Sequence, residues 1–247
     1  MSKRSAGLIA AASAGAACLA LVAGPAFAAT TPPATSSPTP ASTSTHAPKT
    51  LAQIQAAGAK ATSDRETKLT AAITKITADK SLTSNDRSTI LGTLDADLAA
   101  MKSQAGAIAA DTTTTQAAAD LKTVFEKYRV DAVALPQARL AAGADRITGA
   151  RLPALTKEQS ALSAELSGKD KAKSTSALQA DLSDMGKQIS TASHDAGGVA
   201  QAALDVTPSA YDSNHSALSS AKSELAAART AAKKAASDAK AIRQALK

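Results

Sequence analysis

Apolar residues recur at alternating intervals of three and four along the C-terminal part of the chain, and this heptad pattern constrains the fold more than any other feature. Residues spaced in this way lie on one face of a helix, which must pack against a partner. The first heptad run comprises Leu178, Leu182, Met185, Ile189, Ala192, Ala196, Val199, Ala203 and Val206. The second comprises Leu218, Ala221, Leu225, Ala228, Ala232, Ala235, Ala239, Ile242 and Leu246. We therefore predict two long helices, weakened at Gly197-Gly198 and separated at Thr207-Pro208.

Similar spacing upstream predicts further helices, over Thr50 to about Asp79 and from Thr83 to about Ala110. Residues 83–86 resemble a capping box with Asp in place of the usual Glu, and the threonines at 112–115 are expected to end the second helix. In the last helix, we expect Asp212 or Ser213 to form the N-cap.

The segment from Gln116 to about Ser167 is expected to hold two helices. Pro136 should kink or break the helical path there, because proline lacks an N–H group and its ring clashes with the preceding turn. The predicted buried stripe before it comprises Leu121, Val124, Phe125, Tyr128, Ala132 and Leu135.

These patterns predict an all-α fold, an elongated antiparallel helical bundle or set of coiled-coil hairpins with five to six helices. Hydrophobic residues make up 44% of the chain but aromatic residues only 2%, so the core must be built mainly from small side chains. The heptad seams can be satisfied within one chain or between chains, which leaves an oligomer open.

The N-terminal region predicts export. Residues 1–28 read as a signal peptide, with Lys3 and Arg4 before an apolar run and Ala26-Phe27-Ala28 as an A-x-A cleavage site. A retained membrane anchor and a lipoprotein acylated at Cys18 are the alternatives. Residues 29–48 are rich in Ser, Thr and Pro, which predicts a disordered linker with or without sugars on its hydroxyl groups. Residues 49–247 are expected to form the helical bundle. We expect an extracellular or cell-wall-associated protein, without a transmembrane anchor after cleavage.

Positive charge is concentrated at the C-terminal end. The whole chain has a formal net charge of +7, and residues 214–247 contain seven Lys or Arg against two acids. In the heptad frame, six of these basic residues lie beside the apolar seam: Lys222, Arg229, Lys233, Lys240, Arg243 and Lys247. This basic flank is a candidate polyanion-binding surface, or else a solvated face paired with acids such as Asp181 and Asp195.

The residue types exclude most chemistry at a catalytic site. Cleavage would remove the single cysteine, and His194 and His215 are expected on the surface, too far apart along a hairpin to share a metal. The motifs of phosphate-binding loops, dinucleotide sites, serine hydrolases, zinc proteases and EF-hands are absent. We predict a protein that is not an enzyme, with no catalytic residue, no metal and no cofactor.

Two stretches carry a family resemblance: Ile73 to Met101, with its turn at 78–83, and Tyr128 to Pro136. The chain resembles the functionally uncharacterised, alanine-rich secreted helical proteins of high-GC Gram-positive bacteria. The resemblance implies an exported helical body and supplies no activity.

The primary hypothesis from the sequence is a secreted or wall-associated spacer or protein-interaction module. The alternative is binding of a polyanion through the basic C-terminal helix, to a wall polymer, an anionic membrane surface or nucleic acid. The lack of interleaved aromatic residues disfavours nucleic acid. The partner is therefore predicted to be an unidentified protein or an anionic polymer of the cell envelope.

Overall fold

The computed structural model describes residues 49–247, which contain helices and no strand. The predicted signal peptide, Cys18 and the predicted linker lie outside the described residues. The α-helices are α1 (Leu51–Ala78), α2 (Ser84–Ala110), α3 (Thr114–Glu126), α4 (Leu135–Arg146), α5 (Leu152–Ser167), α6 (Ser176–Ala196), α7 (Val199–Leu204), α8 (Pro208–Ser213) and α9 (Ser219–Ala245). The predicted all-α bundle is thus confirmed for the described residues.

Threonine side chains cap the N-termini of four helices: α1, α2, α3 and α6. Thr50, Thr83, Thr113 and Thr175 each accept a hydrogen bond from a backbone N–H in the first turn that follows. At α2 the predicted capping box is only half formed. The N–H of Thr83 donates to the buried Asp145 carboxylate at 2.9 Å instead of to Asp86.

A single helical path runs from Val130 to Ser167. Of the two predicted alternatives at Pro136, a kink or a break, the break is therefore wrong. Wide π-helical turns at Val130–Ala134 and Ile147–Arg151 directly precede the Leu-Pro pairs that begin α4 and α5. Each turn adds a residue to the helical cycle, so the proline, which has no N–H to donate, is accommodated without ending the helix. We call residues 130–167 the long helix; it spans about 57 Å at 1.5 Å per residue.

The chain instead breaks before the long helix, at Arg129, whose backbone is left-handed with φ of 45°. The predicted buried stripe is wrong at one position, within α3. Phe125 is 44% exposed and lies under the Arg65 guanidinium, 4.4 Å from its ring centre.

Two hydrophobic clusters lie along the long helix. The first joins α1, α2 and α3 to its beginning, and its largest fully buried side chains are Leu69, Ile90, Leu94, Met101, Ile108 and Val124. The second joins α6 and α9 to α4 and α5, and its largest are Leu162, Leu166, Met185, Leu218, Leu225 and Ile242. Residues 49–247 therefore form two helical bundles that share the long helix.

The connection between α6 and α9 differs from the prediction. Gly198, with φ of 91°, separates α6 from α7. Asp212 and Ser213 do not cap the last helix, because both belong to the additional short helix α8. Helix α9 begins at Ser219 without a side-chain cap. Its packing nevertheless follows the heptad prediction, since all nine predicted seam residues are buried.

Candidate functional site

Helices α1 and α9 both run parallel to the long helix, so side chains from all three line one side of the molecule. The Lys68–Asp131 pair (2.7 Å) and the Arg146–Asp79 pair (2.5 Å) fix the alignment of α1. On α9, Arg243 pairs with Glu158 of the long helix at 2.5 Å. This parallel arrangement creates a concave surface along the long helix.

The concave surface comprises three adjoining cavities, and we call it the basic groove. The first and third cavities have volumes of about 410 and 600 Å³, and the middle one joins them by sharing Arg146 and Arg229 with the first and Arg151 with the third. Its basic lining residues are Lys68, Lys75, Arg139, Arg146, Arg151, Arg229, Lys240, Arg243 and Lys247. Among residues 49–247, its acidic lining residues are Asp79 and Glu158 alone. The groove therefore carries a strong excess of positive charge.

Few of these basic side chains are neutralised by the described part of the chain. Arg146, Arg243 and Lys68 form the ion pairs given above, whereas six form none with any residue in 49–247: Lys75, Arg139, Arg151, Arg229, Lys240 and Lys247. All six are exposed. An anion entering the groove would consequently meet cations that it need not first free from a partner.

The Asp79 carboxylate, which lines the groove, is hydrogen-bonded by two neighbouring side chains. Burial raises its pKa, but hydrogen bonds from Ser81 and Arg146 outweigh burial and hold the pKa below its ordinary value. The carboxylate therefore stays ionised and serves to position Arg146.

A glycine sets the position of Arg229. A Cβ atom at Gly143 would lie 2.7 Å from Nη2 of Arg229 and 2.8 Å from Cδ2 of Leu225. Glycine lets the ends of these two side chains lie directly against the backbone of α4, because an added methyl group would displace them. This approach brings the Arg229 guanidinium over α4, between the first and second cavities.

The structure divides the six basic residues predicted from the sequence. Arg229, Lys240, Arg243 and Lys247 line the basic groove, whereas Lys222 and Lys233 are exposed on α9 and line none of its cavities. The anticipated acids, Asp181 and Asp195, do not pair with this flank. The acids that pair with α9 are Glu158, with Arg243, and Asp184, with Lys234.

Five groove residues were missed by sequence reasoning: Lys68 and Lys75 on α1, and Arg139, Arg146 and Arg151 on the long helix. Residues 29–213 are neutral in total, so net charge gave no signal there. Lys68 and Lys75 are seven residues apart, as are Arg139 and Arg146. This spacing keeps each pair on one helix face and was the available clue.

Other kinds of site find no support in residues 49–247. No group of three His, Asp or Glu side chains there could hold a metal ion. His194 and His215 are both exposed, as predicted, and His215 makes an edge contact with the Tyr211 ring. Within the same residues, no helix has the length and apolar character that crossing a bilayer requires.

Comparison with family models, with curated proteins and with solved structures yields no match to this chain. The resemblance to alanine-rich secreted proteins therefore stays a prediction, and the basic groove is the feature on which a function can be argued.

Proposed function

We propose that this protein is a secreted or wall-associated, non-enzymatic helical protein that binds a linear polyanion in the basic groove. The observation that carries the proposal is the convergence of nine basic side chains from three helices on one groove that contains two acids. Such a surface attracts anions over a distance and binds them in a salt-dependent way.

The length of the groove favours a polymer over a small ion. Its lining residues on the long helix extend from Leu135 to Glu158, a rise of about 34 Å at 1.5 Å per residue. Cations recur along this whole length, on the long helix and on α9. Only an extended chain of anionic groups could engage them together.

The concave shape favours a narrow polymer over a membrane surface. Proteins that bind bilayers through basic helices usually insert large apolar side chains beside the cations. In residues 49–247 the exposed large hydrophobic residue is Phe125, which does not line the groove. The described part of the chain also gives the groove no aromatic residue on which a base could stack, which argues against single-stranded nucleic acid.

A non-enzymatic role is supported by the state of the groove carboxylates. Asp79 pairs with Arg146 and Glu158 with Arg243, and Arg146 and Glu158 are separated by about 18 Å of rise along the long helix. Paired carboxylates in glycoside hydrolases lie within about 10 Å of each other. The two acids are thus placed to hold arginines rather than to act together in hydrolysis.

The arrangement of the bundles is compatible with the spacer role suggested by the sequence. Two helical bundles share a long helix of about 57 Å, and the predicted linker would precede them. We infer that the helical body displays the groove at a distance from its point of attachment.

The test measures binding of the full mature protein to long-chain polyphosphate. Binding is followed by fluorescence anisotropy over a series of salt concentrations. The groove variant carries Arg151→Gln, Lys240→Gln and Lys247→Gln. The matched control carries Lys102→Gln, Lys157→Gln and Lys187→Gln, which remove the same charge from exposed positions outside the groove.

We expect the groove variant to bind at least tenfold more weakly, with a salt dependence less steep by roughly one per lost phosphate contact. The control should bind as the unmodified protein does. Equal weakening in both variants would show that net charge alone matters and would refute the groove. Tighter binding to anionic vesicles or to single-stranded DNA than to polyphosphate would refute the linear, base-free ligand.

A further inference from the structure

The first cavity of the basic groove differs from the rest because it lies where the two bundles meet. We call it the junction pocket, and its basic residues are Lys68, Lys75, Arg139, Arg146 and Arg229. Its volume of about 410 Å³ falls within the range of about 300–1,000 Å³ typical of small-ligand sites. It is also the most enclosed of the three cavities.

Three of these side chains reach the pocket from three different helices without an ionic partner in residues 49–247. Lys75 belongs to α1, Arg139 to the long helix and Arg229 to α9. Asp79, the one acid that residues 49–247 contribute to the lining, is held by Arg146. The pocket thus brings three uncompensated cations together, which is an arrangement that only an anion would stabilise.

The walls beneath these cations are apolar and buried. Ile76, Leu135, Ala138 and Ala142 line the pocket and are at most 6% exposed. Low polarity on one side strengthens the attraction between the cations and a bound anion. The pocket therefore offers tighter binding than the open remainder of the groove.

A phosphate group matches this set of cations better than a carboxylate does. It carries up to two charges and presents three terminal oxygens, whereas a carboxylate carries one charge and presents two oxygens. Two arginines supply planar forks suited to phosphate, and Lys75 adds a point charge.

A ligand held by these side chains would also connect the two bundles. Lys75 lies on a helix of the first bundle and Arg229 on a helix of the second. Helix α1 packs mainly against α2, and α9 packs mainly against α6, rather than against each other. A bridging anion would tie α1 to α9 directly.

We propose that the junction pocket is a phosphate-binding site in which Lys75, Arg139 and Arg229 jointly hold one phosphate group and thereby couple the two bundles. This inference rests on the proposed function, since it identifies the junction pocket as the part of the groove that would bind a polyanion most tightly.

The experiment titrates the full mature protein with inorganic pyrophosphate by isothermal calorimetry at constant ionic strength. The pocket variants are Arg139→Gln and Arg229→Gln. The control is the double variant Arg151→Gln/Lys240→Gln, whose positions line the groove outside the pocket. Arg139→Lys, which keeps the charge, and circular dichroism of every variant identify any loss of fold.

We expect saturable binding of one pyrophosphate per chain, at least tenfold weaker in either pocket variant and changed less than twofold in the control. Hydrogen exchange should slow on ligand binding in both 68–79 and 225–232. Citrate, a carboxylate anion, should bind at least tenfold more weakly than pyrophosphate. Equal losses in pocket variants and control, citrate binding as tight as pyrophosphate, or slowing in only one segment would overturn the proposal.

Titration with long-chain polyphosphate distinguishes the source of the phosphate. A polymer seated along the groove loses affinity in the pocket variants and in the control, whereas a free anion loses it in the pocket variants alone. If polyphosphate binds in the groove but pyrophosphate does not saturate, the phosphate site is refuted and the polyanion function stands. If neither binds, both proposals fail.

Discussion

Replacing Gly58 by alanine tests a close contact between α1 and α2. A Cβ atom at this position would lie 2.7 Å from Cγ2 and 2.9 Å from Cδ1 of Ile108, which is 1% exposed. Cγ2 is attached to the stiff, β-branched part of the side chain and cannot swing away. The two helices must therefore separate locally to admit the added methyl group.

The size of the effect follows from two opposing terms. Overpacking a well-packed core costs about 1–3 kcal/mol, while exchanging glycine for alanine inside a helix returns about 1 kcal/mol. At Gly92 and Gly106, both within α2, an added methyl group would meet no atom of residues 49–247 within 4 Å beyond its own stretch of helix, so alanine there brings the helical gain alone. We expect Gly58→Ala to be less stable than either control by about 1–3 kcal/mol.

The assay is urea unfolding followed by far-UV circular dichroism, with the free energy of unfolding compared across the three variants. A double-mutant cycle with Ile108→Val tests whether the Ile108 side chain causes the loss of stability. That substitution costs about 0.5–1.5 kcal/mol in the unmodified core, but should cost less beside Gly58→Ala because it removes one of the clashing carbons. A Gly58→Ala protein as stable as the Gly92→Ala and Gly106→Ala proteins would refute the close packing of α1 on α2.

Three further substitutions probe other parts of the fold. Gln137 is buried and its Nε2 donates to the Ala203 carbonyl at 2.8 Å, so Gln137→Leu should lower the free energy of unfolding by about 1–3 kcal/mol and speed amide exchange in 199–206. Asn and Val at position 129 both remove the ion pair with Asp212, but Val tolerates the left-handed backbone poorly, so Arg129→Val should be less stable than Arg129→Asn by about 1–2 kcal/mol in the same urea assay. Burial raises the pKa of Asp97 from 3.8 to about 6, so the folded state binds the Asp97 proton more tightly than the unfolded state does. The free energy of unfolding should therefore fall as pH rises between these values. Asp97→Asn should remove that decline from a series of unfolding curves, and an unchanged pH dependence would contradict the raised pKa of Asp97.

The helices themselves were largely predictable, because their signals are local. The nine seam residues predicted between Leu218 and Leu246 are all buried, and Thr50, Thr83, Thr113 and Thr175 cap helices with their own hydroxyls. Helical periodicity and capping depend on residues within one or two turns of each other, which a sequence displays directly.

The path through Pro136 was not predictable in the same way. Proline chemistry indicates a disturbed helix, but a π turn and a complete break both relieve the clash. Val130, Val133 and Leu135 are buried around the π turn. A continuous helix keeps all three side chains in the core, which favours the π turn over a break. The break moved to Arg129, where no residue type signalled it.

The sequence by itself determined where positive charge lies along each helix, and therefore found Arg229, Lys240, Arg243 and Lys247. Only the tertiary structure decided that Lys75 of α1 and Arg139, Arg146 and Arg151 of the long helix face the same groove. The physical reason is that a helix fixes the direction of its own side chains through its backbone geometry. Which helices become neighbours depends on contacts between residues far apart in the chain, such as Gly143 with Leu225 and Arg229.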